Sequence, residues 1–288
     1  VVIRGAMRDV MKLNLHLRTA HRVLVPLLRT TCRNIRDLYE AAYSIDWENL
    51  LEADGYFSVS SIVHNYTIRD TRLPSLYTKD AVVDRMREKC QRRPDSGGEN
   101  RGAAIFVYWE RNEAIIYLDT SGEPLSKRGY RKIPGSAPMQ ETLAAACLMA
   151  MGWKKDTPFL SPMCGSGTPA IEAAMMAANM APGMNRSFTA ENWGHIIGKK
   201  NWYDTLDEAH ELVDLSVETD IQGYDIDDKM VAIARENAKL AGVDKMIHFQ
   251  RRSVADLSHP KKYGFIITNP PYGERLEEKS ALPDLYKT

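Results

Sequence analysis

The sequence contains no run of about 18 apolar residues, so it offers no candidate membrane-spanning helix. It contains no C-x-x-C pair. Its four cysteines, Cys32, Cys90, Cys147 and Cys164, stand far apart, which argues against a zinc site and against a disulfide framework. They read as reduced thiols of a cytoplasmic protein, and no metal is expected. No leader is evident either: Val1-Val2-Ile3-Arg4-Gly5 reads as the middle of a hairpin, and the chain is expected to be a fragment of a longer one. Net charge is absent as well, with 38 Lys and Arg against 38 Asp and Glu. A strongly acidic or strongly basic protein is thereby excluded.

That balance hides a gradient. Residues 1–135 hold 22 Lys and Arg against 17 Asp and Glu, and the remainder holds 16 against 21. Residues 1–36 carry eight cations and only Asp9 as an acid. Such an N-terminal part suits phosphate contacts, although a solvated helix face gives the same count. With 288 residues, 44% apolar and 26% charged, the chain is long enough for one large or two ordinary globular domains.

Residues 1–55 read as a strand followed by helical patterns: Met11–Leu28 broken at Pro26, then Asn34–Tyr43, then another short helix capped by Asp46. Residues 56–120 change character. A strand at Tyr56–Val63 precedes a helix at Lys79–Cys90. The strands Ala103–Trp109 and Ala114–Asp119 then flank Glu110-Arg111-Asn112-Glu113 as a hairpin. Strand, helix and hairpin together make an α+β module. Residues 121–138 read as a linker in which Lys127, Arg128, Arg131 and Lys132 surround Tyr130. Cations interleaved with an aromatic suit RNA, and an ordinary polar connector is the alternative.

From residue 139 strands alternate with helices. Helices are expected at Met139–Met151, Thr168–Asn179, Asp204–Leu215 and Asp228–Ala241. Strands are expected at Thr157–Ser161, Ile221–Asp225, Met246–Phe249 and Phe265–Thr268. Alternation of this kind specifies parallel βαβ units.

Two stretches of this half carry chemistry. The first is Pro162-Met163-Cys164-Gly165-Ser166-Gly167-Thr168, between a strand and a helix. Its glycines permit a tight turn and close approach of a ligand, and the helix N-terminus favours an anionic group. Gly165 to Ala170 also fits G-x-G-x-x-A, the weak fingerprint of a dinucleotide site. Such a site wants an acid about 20 residues on. Here the next strand-terminal acid is Asp225, 58 residues beyond Gly167, which disfavours a nicotinamide enzyme.

The second stretch is Asn269-Pro270-Pro271-Tyr272, just after a buried-strand pattern, where open α/β sheets bind ligands. Asn269 and the Pro270 carbonyl offer two adjacent acceptors, Pro271 stiffens the turn, and Tyr272 offers a flat face for a base. Two acceptors and a stacking ring suit a planar group with an exocyclic NH2. A turn with a packed tyrosine is the plainer alternative. The tetrapeptide resembles the catalytic motif of amino-methyltransferases, which use S-adenosylmethionine. A glycine-rich first turn, an acid ending the second strand and this tetrapeptide ending the fourth make that constellation specific.

Further segments extend the resemblance: Leu118–Gly122, Lys127–Arg131, Ala137–Ala145, Cys164–Thr168, Ile171–Ala174 and Asn269–Arg275. With them the chain resembles the THUMP-domain RNA guanine-N2 methyltransferases along nearly its whole length, closest to the bacterial enzymes of 23S ribosomal RNA. The resemblance implies a Rossmann-like class I methyltransferase sheet (α/β) preceded by an α+β THUMP and ferredoxin-like RNA-binding region. The expected boundaries are 1–55, 56–120, a linker at 121–138, and 139–288.

It further implies S-adenosyl-L-methionine held by Thr142, Cys164, Gly165, Ser166, Gly167, Thr168, Asp225, Ile226, Ser253, Val254 and Asn269. Catalysis would fall to Asn269, Pro270, Pro271 and Tyr272, and RNA contacts to Lys127, Arg128, Tyr130, Arg131 and Arg275. The chain departs from the family pattern at Ser161 and Ser253, where family members carry acids; Asp256 lies near enough to stand in for the second. The family's sheet also continues beyond the fourth strand. Transfer RNA guanine-N2 methylation, adenine-N6 methylation and a catalytically degenerate RNA-binding protein remain as alternatives. Cys164 reads as a packing residue rather than a nucleophile.

Overall fold

A computed structural model of the chain describes residues 1–99, 102–131, 138–194, 196 and 198–271. Two compact units emerge. One comprises Val1–Asn14, Arg22–Pro124 and Ser187–Thr205; the other comprises Leu15–His21, Leu125–Arg186 and the chain from Leu206 onward.

The first unit is built on a five-stranded sheet. Its strands are β1 (Leu24–Thr31), β2 (Tyr56–His64), β3 (Asp95–Ser96), β4 (Ala103–Glu110) and β5 (Glu113–Asp119), in the order β1-β5-β4-β2-β3. β4 and β5 form the hairpin expected from the sequence, and Arg111 takes φ +52° in its tight turn. β2 runs parallel to β4. Two helices accompany the sheet, α2 (Ile35–Tyr43) and α3 (Leu73–Cys90), after α1 (Met7–His16). Asn34 caps α2, its side chain accepting from the amides of Arg36 and Asp37. Trp47, Phe57, Met86, Ile105, Trp109 and Ile116 form the unit's interior.

Two expectations are corrected in this unit. Met11–Leu28 is not one helix: α1 ends at His16, and Leu24–Thr31 is a strand paired antiparallel with β5. Pro26 survives in that strand because β1 is an edge, where its missing N–H breaks no ladder on the outer side. The boundary expected at residue 55 also disappears, since β1 belongs to the same sheet as β2, β4 and β5.

The second unit holds a four-stranded, wholly parallel sheet. β6 (Phe159–Pro162), β7 (Ile221–Asp225), β8 (Ile247–Arg251) and β9 (Phe265–Ile266) lie in the order β8-β7-β6-β9. Its helices are α4 (Glu141–Ala150), α5 (Thr168–Ala177) and α7 (Asp228–Ala241), while α6 (Lys199–Glu211) begins in the last segment of the first unit and ends in the second. Every residue of α5 except Met176 is buried, which explains its Ala- and Met-rich composition without an exposed polar face. Gly242 closes α7 at φ +76°, the left-handed cap that the sequence advertises. Phe159, Ile171, Ala174, Ile221, Ala234 and Phe249 lie within one continuous core.

Because all four strands are parallel, their carboxyl ends share one edge of the sheet. The β6–α5 loop, Asp225 and the segment after β9 therefore meet along that edge. Among the described residues no helix is long and apolar enough to cross a membrane.

Candidate active site

The loop between β6 and α5 is fixed from several sides. The Met163 and Cys164 amides both donate to the Tyr224 carbonyl, at 2.8 and 2.7 Å, and the Gly167 amide donates to the Cys164 carbonyl at 2.8 Å. Met163 is held at φ +103°, a conformation that costs a non-glycine residue of order 1–3 kcal/mol and concentrates at functional sites. Gly165 and Gly167 take φ +52° and +86°. At Gly167 a Cβ would press at 3.0 Å against Ala234 and Phe249, so the glycine serves both conformation and close packing. The Asn237 side chain donates to the Ser166 carbonyl at 3.0 Å. Pro169 lies at the start of α5, where its absent N–H costs nothing.

Asp225 ends β7 half-buried, and its carboxylate is aimed by backbone donors. The Gly165 amide donates to Oδ2 at 2.9 Å, and the Asp227 amide donates to Oδ1 at 3.0 Å. Each oxygen keeps a further lone pair for a hydroxyl. The Gly165 contact ties loop to strand end and was not foreseen from spacing. Gly223 was also missed: a Cβ there would collide with the Phe249 ring. A lone glycine two residues before a strand-terminal acid was the available signal.

The remaining expected cofactor residues lie nearby in the chain's topology. Ile226, directly after Asp225, is 67% exposed, a large apolar side chain left uncovered at the sheet edge. Ser253 and Val254 follow β8 at the same edge, with the Ser253 hydroxyl accepting from the Ala255 amide at 3.2 Å. Thr142 is half-buried in the first turn of α4. Cys164 is buried, and burial together with the Asp225 charge pushes its thiol up to about 12, so it stays protonated. A protonated, buried thiol is a packing group and not a nucleophile.

β9 is shorter than expected, two residues, but the Ile267 amide still donates to the Leu160 carbonyl at 3.1 Å and continues the ladder. Asn269 and Pro270 come next, half-buried, and Pro271 is exposed. Tyr272 and Arg275 lie outside the described residues. Two hydroxyls at this edge, Ser161 at the end of β6 and Thr268 after β9, are buried without a hydrogen-bond partner among the described residues.

The cations expected to meet RNA are placed otherwise. Arg128 and Tyr130 are buried. Arg128 pairs with the wholly buried Glu172 at 3.4 Å and donates to the Leu125 and Arg18 carbonyls at 2.8 and 2.5 Å; the Tyr130 hydroxyl donates to Glu172 at 3.3 Å. Burial holds the Glu172 carboxyl above its ordinary range against the pull of Arg128 and Arg18. Gly129, at φ +96°, lets this segment run against Asn185, whose carbonyl a Cβ would strike. Arg131 donates to the Met139 carbonyl and the Thr168 hydroxyl.

Arg128 and Tyr130 are thus part of the second unit's interior, which corrects the reading of a solvent-facing basic linker. Lys127 alone of the four described residues is exposed. In the first unit Arg22 is likewise taken up, by Asp119 and the Gly122 carbonyl.

Comparison with known proteins agrees with this architecture. The family described as "RMKL-like, methyltransferase domain" matches residues 128–288, and the THUMP domain matches residues 32–119. This chain belongs to the RMKL-like methyltransferase family. It is 40% identical over 280 residues to the "Ribosomal RNA large subunit methyltransferase K/L" of Shewanella woodyi, a match covering 96% of the chain and 39% of that relative. It is 37% identical over 291 residues to the "Putative RNA methyltransferase YpsC" of Bacillus subtilis, covering 100% of the chain and 74% of YpsC. Among solved structures, that of SMU.472 complexed with SAH aligns at TM-score 0.86 and 35% identity, covering 98% of this chain and 74% of that one. The chain therefore spans well under half of the Shewanella relative and about three quarters of the other two. The match to THUMP from residue 32 agrees with α2 sharing a unit with β2 to β5.

Proposed function

We propose that this chain is the S-adenosylmethionine-dependent part of an RNA methyltransferase that modifies the exocyclic N2 amine of a guanine, with 23S ribosomal RNA as its substrate. The observation that carries the reading is the shared carboxyl edge of β6, β7 and β9. That edge brings the glycine loop, the backbone-held Asp225 and Asn269-Pro270 to one side of one sheet. The relatives named for ribosomal RNA methylation supply the substrate class.

The residues present fit the cofactor. Gly165 leaves open space just before a helix start, Asp225 keeps lone pairs for ribose hydroxyls, and exposed Ile226 offers an apolar face for a purine. Orphaned hydroxyls at Ser161 and Thr268 add donors at the same edge. Bound there, S-adenosylmethionine supplies a methyl made electrophilic by its sulfonium. The chain's task is to orient the amine. The Asn269 side-chain carbonyl and the Pro270 carbonyl accept its two hydrogens and turn the nitrogen lone pair toward the methyl. Transfer would break the methyl carbon–sulfur bond, leave the neutral thioether S-adenosylhomocysteine, and release one amine proton to solvent. Positioning of this kind accounts for most of the rate without a nucleophile. The guanine has to be unpaired or extruded, because its N2 is sequestered in a duplex.

A second reading, adenine-N6 methylation, shares the tetrapeptide; a Listeria monocytogenes structure described as a "predicted N6-adenine-specific DNA methylase" aligns at TM-score 0.89. The THUMP match favours RNA over DNA. Methylation of unmodified 23S RNA, tRNA and duplex DNA with labelled cofactor, followed by mass analysis of nucleosides, decides between them. N2-methylguanosine in 23S RNA is expected, and N6-methyladenine in DNA would replace the reading.

A further inference from the structure

Arg131 joins the start of two helices. Its Nη2 donates to the Met139 carbonyl at 2.8 Å and to Thr168 Oγ1 at 2.6 Å, and it lies 3.2 Å from Glu141 Oε1. Thr168 is the first residue of α5, directly after Gly167, and Glu141 is the first residue of α4, directly before Thr142. Thr168 and Glu141 are buried, and the guanidinium is nearly so. Neither helix start has a side-chain cap: Gly167 has none to give and Gln140 makes none. One cation therefore holds two uncapped helix N-termini together. Those termini are positive dipole ends.

We propose that Arg131 is a positioning residue for the cofactor's amino-acid end. It sets the α4 start against the β6–α5 loop, so that amides from both helices converge on one carboxylate. This inference rests on the cofactor reading above, and it assigns Arg131 a role different from the RNA contact expected of it. Arg131 does not itself touch the reacting atoms. It acts through Thr168 and the α4 turn, whose acceptors all lie within reach of its one nitrogen Nη2.

Titration calorimetry with S-adenosylhomocysteine tests the inference, beside methyl-transfer kinetics on 23S RNA. Arg131→Met should weaken S-adenosylhomocysteine by about tenfold or more and raise KM for S-adenosylmethionine by the same factor. Its kcat at saturating cofactor and its RNA affinity should stay within about twofold of wild type. Arg131→Lys, which restores a cationic donor, should regain most of the affinity. A residue that only stabilises the fold would lower Tm without this split. The double variant Arg131→Met/Glu141→Leu removes both charges, leaves no carboxylate buried alone, and serves if the single variant does not fold. Wild-type affinity in a folded variant overturns the inference and leaves the cofactor reading standing. No binding by the wild-type chain overturns both.

Discussion

Two carboxylates of the same unit, Glu172 and Asp225, differ in burial and in the kind of partner that holds them. Glu172 lies in the middle of α5 with Arg128 beside it, the two side chains 0% and 1% exposed. Its nearby partners are side chains, Arg128 and Tyr130, and burial raises its carboxyl above the ordinary range. Asp225 lies half-buried at a strand end, and its partners are the backbone amides of Gly165 and Asp227. Side-chain partners in a closed interior leave no place for a ligand. Backbone donors at an open edge fix a carboxylate while leaving its outer lone pairs available. The first cluster holds the unit together; the second is the one proposed to receive the cofactor.

The comparison can be broken most severely at Arg128. Arg128→Ala leaves Glu172 buried with its main partner gone and should cost about 3–5 kcal/mol of stability by chemical denaturation. The loss should also depend on pH. Removing Arg128 raises the Glu172 carboxyl further above its ordinary 4.5. A carboxyl raised on folding stabilises below its unfolded value and loses that contribution as pH rises through its folded value. Arg128→Ala should therefore be more damaging at pH 8 than at pH 5, and an equal loss at both would show that Glu172 is not the cause.

Asn269→Ala sharpens the functional side. Turnover should fall on the order of 100-fold, because alignment of the amine is lost, while thermal stability stays close to wild type. A variant that turns over normally removes Asn269 from the mechanism.

A third test concerns Cys164, next to Asp225. With its thiol pushed up to about 12, it should resist iodoacetamide at pH 8 in the folded protein, as peptide mass mapping would show, whereas half-exposed Cys90 should be alkylated. Rapid labelling of Cys164 would mean that the loop is open to solvent.

The smallest effect belongs to surface pairs. Arg36 and Glu40 lie 3.0 Å apart with side chains 84% and 63% exposed, and Arg36→Ala should cost about 0.3–0.5 kcal/mol at low salt. A loss comparable to that of Arg128→Ala would dissolve the distinction between buried and surface charge on which the comparison stands.

Much of this was legible in the chain. Parallel βαβ order, the glycine loop, Asp225 at a strand end and Asn269-Pro270 after the fourth strand all follow from alternation and from Gly and Pro placement, because these residues restrict the backbone locally. Helix α7 could be read from Asp227 to Gly242 since both its caps are encoded. What escaped was tertiary. Leu24–Thr31 has residues that serve helix or strand, and only pairing with β5 decides. Arg128, Tyr130 and Arg131 look solvent-facing by composition, and only the position of Glu172 on α5 and Thr168 at its start turns them inward. A buried ion pair between residues 128 and 172 leaves no mark in a sequence.

The central claim is that the edge around Asp225 holds the cofactor, and calorimetric titration of wild type and Asp225→Ala with S-adenosylhomocysteine tests it most directly. The account predicts single-site binding by the wild type and a loss of about 1.5–3 kcal/mol in the variant, the worth of hydrogen bonds to a charged group, with the fold intact by circular dichroism. Equal affinity in a folded Asp225→Ala variant, or no binding by the wild type, would contradict it.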